Sequence, residues 1–203
     1  MTLQAKLQEM TDLDNAWLKR HRVLRQNTQV YGWEPYPPAE FVRLLYIAMA
    51  RNQGPFIDLG CGIGTKVLLA EAIGLKALGV ELFPAYAAEA KRLGANVVRW
   101  DLRDGPPDPT IRKCGIVYIN HPFRDTVAED ILELRVQEVM APGAVLITVN
   151  NIRTEPEDWD VICRPPWSDP EKIRFDWVAQ KPGGNNAAEA IRAYSDRAGN
   201  RAG

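Results

Sequence analysis

Between residues 55 and 150, short apolar runs alternate with amphipathic stretches, and this alternation narrows the possible folds more than any other feature. The runs Phe56–Leu59, Ala77–Leu82, Asn96–Trp100, Cys114–Asn120 and Ala144–Val149 read as strands. Thr65–Ile73, Pro84–Leu93 and Thr126–Met140 read as helices. Gly74 and Gly94 stop the first two, and Ala141-Pro142-Gly143 ends the third. On the third helix, Ile131, Leu134 and Val139 are expected to face inward. Strands alternating with helices build βαβ units around a mostly parallel sheet covered on both faces. After Asn151 the alternation breaks. Val161-Ile162-Cys163 and Arg174–Ala179 read as two strands with no helix between them, so at least one is antiparallel.

The 203 residues fit one domain with extensions. Residues 1–34 are expected to form a helical extension, with Leu3, Leu7, Met10, Leu13 and Trp17 at helical spacing. Met10 and Trp17 read as core positions of that helix. Its densest basic run is Lys19-Arg20-His21-Arg22 with Arg25, either a solvated face or a phosphate contact. Tyr31, Trp33 and Tyr36 lie in a proline-broken loop and either stack on a ligand or pack against the sheet edge. The core domain spans 35–182, and 183–203 reads as a flexible tail rich in Gly, Ala and Asn.

Asp58-Leu59-Gly60-Cys61-Gly62-Ile63-Gly64-Thr65 follows the first strand and opens a helix, which is where open α/β sheets bind ligands. Its glycines allow a tight turn and close approach of the backbone to a ligand. Thr65 stands where a third glycine would complete the dinucleotide fingerprint, which argues against a nicotinamide oxidoreductase. Acids stand at three successive strand ends: Asp58, Glu81 and Asp101. With no accompanying Lys or Arg expected beside them, they suit a nucleoside carrying positive charge rather than phosphates.

These motifs, with Gly79-Val80-Glu81, Trp100-Asp101-Leu102 and Ala141-Pro142-Gly143, resemble the ordered motifs of class I S-adenosylmethionine-dependent methyltransferases across residues 35–180. The resemblance implies a doubly wound, mostly parallel seven-stranded α/β sheet with its last strand antiparallel. It implies S-adenosylmethionine as methyl donor, bound by Asp58, Gly60, Cys61, Gly62, Gly64, Glu81, Leu82, Asp101 and Leu102. Asp58 would stand near the ammonium end, Glu81 at the ribose hydroxyls, Asp101 at the adenine amine, and the Leu102 backbone beside the ring.

Asn120-His121-Pro122-Phe123 follows the fourth strand and resembles the Asn-Pro-Pro-aromatic signature of methyltransferases acting on planar amines. Carried over, Asn120 and the His121 carbonyl accept hydrogen bonds from the target amine, and Phe123 stacks on it. His121 replaces the first proline, so the rigidity of two prolines is lost. His121 also admits a second role, as general base toward a hydroxyl, a small molecule or a protein side chain. The acceptor class stays open among nucleic acid, protein and small molecule. The stretch Leu102–Lys113 is too short for a DNA-recognition insert, so specific DNA recognition would require a partner subunit. A non-catalytic donor-binding subunit is a further alternative, opposed by the intact glycine loop.

The formal net charge of -1 excludes a broadly basic nucleic-acid surface. No run of about 18 apolar residues is present, so no membrane span is expected. Three scattered cysteines, Cys61, Cys114 and Cys163, indicate neither a disulfide framework nor a metal site, and a reducing cytoplasm is the expected compartment.

Overall fold

A computed structural model of the chain describes residues 2–21, 35–123, 125–151, 156–165 and 175–183. The strands are β1 Phe56–Leu59, β2 Ala77–Glu81, β3 Val97–Arg99, β4 Ile116–Asn120, β5 Val145–Asn151, β6 Asp160–Cys163 and β7 Phe175–Gln180. They form one sheet in the order β3-β2-β1-β4-β5-β7-β6. β1 to β5 pair in parallel, and β7 runs antiparallel to both β5 and β6. No crossover helix lies among the described residues after Asn151, and a parallel neighbour needs such a long connection, so the antiparallel course of β7 is the one expected. The helices are α1 Leu3–His21, α2 Pro38–Met49, α3 Thr65–Ala72, α4 Pro84–Arg92, α5 Asp108–Ile111 and α6 Thr126–Val139.

Successive strand residues point to opposite faces, and the core divides accordingly. Phe56, Tyr118 and Ile147 pack with Phe41, Leu44 and Leu45 of α2 and Val67 and Leu69 of α3. Ile57, Val117 and Leu146 pack on the other face with Leu132 and Val136 of α6. Asp58 follows the Phe56 parity and so shares a face with Tyr118 rather than with α6. Met10 is fully buried, while Trp17 meets Tyr86 edge-on at 5.8 Å.

α6 overturns one expectation. Ile131 and Leu134 face outward, at 46% and 48% exposure, and Glu129 and Glu133 are buried beside Leu132, Val136 and Val139. The helix carries two offset apolar stripes, Val127-Ile131-Leu134 and Leu132-Val136-Val139. Periodicity alone does not choose between them. The second lies against the sheet, bringing Glu129 inside with it. Asp125 caps the helix by accepting from the Val127 and Ala128 amides.

Gly79 has no room for a side chain. A Cβ there would lie 2.5 Å from the Cys61 sulfur and 2.9 Å from Cys61 Cβ. Gly79→Ala is expected to cost about 1–3 kcal/mol through overpacking. A denaturation midpoint measures it.

Candidate functional site

The site opens at the carboxyl ends of β1, β2 and β4, around the point where the strand order reverses between β1 and β4. The cleft is open to solvent. Of the residues singled out from the sequence, Asp58, Gly60, Cys61, Glu81, Leu82, Asp101 and Leu102 line one part. Asn120, His121, Pro122 and Phe123 line another.

The glycine loop turns through three left-handed positions, at Gly60, Gly62 and Gly64. The Gly60 and Cys61 amides both donate to the Val80 carbonyl at 2.9 Å, which ties the loop to β2. A Cβ at Gly60 would stand 3.1 Å from Pro122 Cβ, so this glycine lets the loop approach the Asn120–Phe123 segment. Gly62 and Gly64 do not line the cleft. The Gly62 amide donates to Glu81 Oε2 at 2.8 Å, and Gly64 packs on Ala90 and Ala95. They shape the loop from behind.

The three acids have different environments. Asp58 is 2% exposed, and burial pushes its carboxyl up to about 7, with the Lys66 ammonium opposing and Glu81 adding to the rise. Glu81 is also buried. Burial raises its pKa, while hydrogen bonds from the Phe83, Gly62 and Leu82 amides lower it. Its Oε1 accepts from Phe83 at 2.8 Å. Asp101 is the outer acid, and the Arg103 guanidinium grips it through Nη2 at 2.6 Å and Nε at 2.9 Å, holding its carboxyl below the usual range.

The expectation of acids without basic neighbours therefore fails at two points. Arg103 pairs with Asp101, and Lys66 of α3 lines the cleft. Lys66 is 5% exposed, and its Nζ bonds Asp14 Oδ2 of α1 at 3.0 Å and Thr65 Oγ1 at 3.3 Å. Both cations have their own acidic partners. Asp58 and Glu81 stay an excess of buried carboxylate, an arrangement that favours a cationic ligand over an anionic one.

On the opposite wall, Asn120 ends β4 and its Oδ1 accepts from Asn150 Nδ2 at 2.9 Å. The Asn150 amide donates to Asp176 Oδ1, and Tyr36 donates its hydroxyl to Asp176 Oδ2, each at 2.8 Å. This chain of bonds joins β4, β5, β7 and the segment before α2 along one edge of the cleft. Asn150 lies in left-handed backbone, at φ 56°. His121 has φ 40°, which a proline cannot adopt because its ring fixes φ near −65°. The turn is thus not the one two prolines would impose. His121 is 8% exposed, with its Nδ1 against Glu129 Oε2. Phe123 is buried at the cleft wall.

Sequence reasoning missed Lys66, Phe83, Tyr86, Tyr118, Asn150, Asp176 and Glu129. Lys66 carried a signal, since it directly follows the glycine loop and Thr65. Asn150 did too, because it ends the fifth strand as Asn120 ends the fourth. Arg22 and Arg25, with Tyr31 and Trp33 of the aromatic loop, lie outside the described residues, as do 184–203. Lys19 and Arg20 are exposed. Among the described residues there is no cluster of three metal-ligating side chains, and no helix is long and apolar enough to cross a membrane. Cys61, Cys114 and Cys163 form no disulfide.

No protein-family model matches the chain, and no curated protein matches it by sequence. Solved structures do match. One is an RNA methyltransferase from Salinibacter ruber in complex with S-adenosyl-L-homocysteine. It is 20% identical, with a TM-score of 0.53 over 73% of this chain and 92% of that one. Another, from Haemophilus influenzae and named as a candidate methylase, is 16% identical, with a TM-score of 0.53 over 71% and 96%. A third comes from the conversion of a disulfide bond into a thioacetal group during echinomycin biosynthesis. It is 13% identical, with a TM-score of 0.51 over 77% and 87%. The strand order, the antiparallel β7 between β5 and β6, and these likenesses show that the chain has the class I S-adenosylmethionine-dependent methyltransferase fold.

Proposed function

We infer that the chain is an S-adenosylmethionine-dependent methyltransferase and that its acceptor is a planar amine, such as that of a nucleic-acid base. The observation that carries the donor assignment is the buried carboxylate excess of Asp58 and Glu81 beside the glycine loop. When bound, the donor supplies an electrophilic methyl on a positively charged sulfur. Asp58 fits its ammonium group, Glu81 the ribose hydroxyls, and Asp101 with the Leu102 backbone the adenine edge. Gly60, Cys61 and Leu82 border the same space, with Gly62 and Gly64 supporting the loop. Asp58 gains a cationic partner, and Glu81, which already accepts from the Gly62 and Phe83 amides, gains hydroxyl donors.

Asn120 and Phe123 support the acceptor reading. A carboxamide oxygen and the His121 carbonyl accept from the amine, which leaves the nitrogen lone pair aimed at the methyl group. Phe123 supplies an aromatic face for a flat ring. The network Asn150–Asp176–Tyr36 holds Asn120 in place, so the alignment is preorganised. The Salinibacter neighbour acts on RNA, which makes RNA the first acceptor to test.

Calorimetry with S-adenosylhomocysteine is expected to show binding. Labelled methyl is expected to pass from the donor into the nuclease-sensitive fraction of a cell extract. Asn120→Ala should lower that transfer about tenfold or more with donor affinity within twofold of wild type. Label in a protease-sensitive or small-molecule fraction would move the acceptor to another class. Binding without transfer would point to a non-catalytic subunit.

A further inference from the structure

We propose that Glu129 is a positioning residue that fixes His121 in the tautomer protonated at Nδ1, so that Nε2 receives the proton released by the acceptor. This rests on the methyltransferase reading above and goes beyond it, because Glu129 lies on α6, outside the donor and acceptor segments.

Three observations combine. Glu129 is 3% exposed, and no feature of a solvated helix face explains a carboxylate there. Its Oε2 lies against His121 Nδ1, eight residues earlier in the chain. His121 itself lines the cleft beside Asn120 and Phe123, and its backbone is held at φ 40°, a conformation non-glycine residues rarely take. The sequence thus spends a buried charge and an unusual backbone angle on orienting one imidazole.

A general base is optional for an amine, and such a group gives the released proton a defined acceptor. As the N–C bond forms, the C–S bond breaks and the sulfur keeps its electron pair. The amine nitrogen then carries the positive charge and one proton too many. Nε2 accepts that proton, giving an imidazolium whose charge the Glu129 carboxylate balances, and the proton passes on to solvent. A carboxylate can hold the proton at Nδ1 only because it accepts and never donates when ionised. Replacing it by an amide offers an N–H donor to Nδ1 and favours the opposite tautomer, the logic by which the carboxylate of a serine-protease triad orients its histidine.

The experiment is nitrogen NMR on protein labelled in its imidazole rings. The chain has two histidines, His21 and His121, so His21→Asn assigns the spectrum. In the wild-type protein, neutral His121 is expected to be protonated at Nδ1 and bare at Nε2. In Glu129→Gln the protonated nitrogen should switch to Nε2. S-adenosylhomocysteine affinity should stay within twofold, and methyl transfer into the extract should fall about a hundredfold. Glu133→Gln removes a buried carboxylate one turn along the same helix and should leave the tautomer unchanged. Protonation at Nε2 in the wild-type protein would overturn the proposal, even if Glu129→Gln failed to fold. So would an unchanged transfer rate in a folded Glu129→Gln. Loss of donor binding by the wild-type protein would instead overturn the methyltransferase reading and leave the tautomer result standing.

Discussion

Asp14→Ala is expected to lower the unfolding free energy by about 3–5 kcal/mol, because it strands a buried ammonium. Asp14 is 3% exposed on α1, and Lys66 is 5% exposed on α3, with 3.0 Å between Nζ and Oδ2. Burial raises the Asp14 carboxyl and outweighs the opposing pull of Lys66, so the pair itself contributes little net stability. Its two halves are still not separately dispensable. The double variant Asp14→Leu/Lys66→Met should recover most of the loss, since it removes both desolvated charges and keeps apolar volume. Denaturant midpoints of the two single variants and the double variant form the cycle that tests this. If Asp14→Ala were as stable as wild type, Lys66 would have found a second anion. Asp58, whose carboxyl already feels the Lys66 charge, is the candidate. Donor affinity should then fall, because the cleft would have lost the Asp58 share of its negative excess.

That coupling shows what the sequence could and could not display. Alternating apolar runs place β1 to β5 and the helices between them, because each run must bury itself whatever its neighbours are. Strand ends then place Asp58, Glu81 and Asp101 together, since parallel strands put all their carboxyl ends on one edge. Pairings between distant segments were not visible. Asp14 and Lys66 are 52 residues apart, and their meeting depends on how α1 crosses α3. Asn120 and Asn150 meet because β4 and β5 are neighbours with Asn120 opposite Val149. Asp176 joins them only because β7 inserts antiparallel beside β5. The phase of α6 was misread for a related reason. Ile131 and Leu134 are as apolar as the stripe that packs, and a buried glutamate is intelligible only once His121 is seen beside it.

Asp58→Asn is expected to weaken S-adenosylhomocysteine binding about a hundredfold at pH 7.5, the scale of one charge-assisted hydrogen bond in a buried site. The pH dependence separates this from simple damage. The Asp58 carboxyl is pushed from 3.8 up to about 7 in the folded protein, chiefly by burial. Between these values the folded state holds a proton that the unfolded chain has released. Unfolding free energy from this group therefore declines as pH rises from about 4 to about 7 and is level above that. A cationic ligand group beside Asp58 favours the ionised form, so binding expels the proton. Affinity in the wild-type protein should rise up to about tenfold between pH 6 and 7.5. Asp58→Asn should lose most of that rise, with the residue left to Glu81, whose pKa is also raised by burial. The same variant, free of the buried charge, should be at least as stable as wild type at pH 7.5 without ligand. Calorimetry in two buffers of different ionisation heat reads the proton release directly. Equal affinity in both proteins would place the ammonium away from Asp58. Weaker binding with the wild-type pH slope intact would make Asp58 a support of the glycine loop and not a contact of the donor.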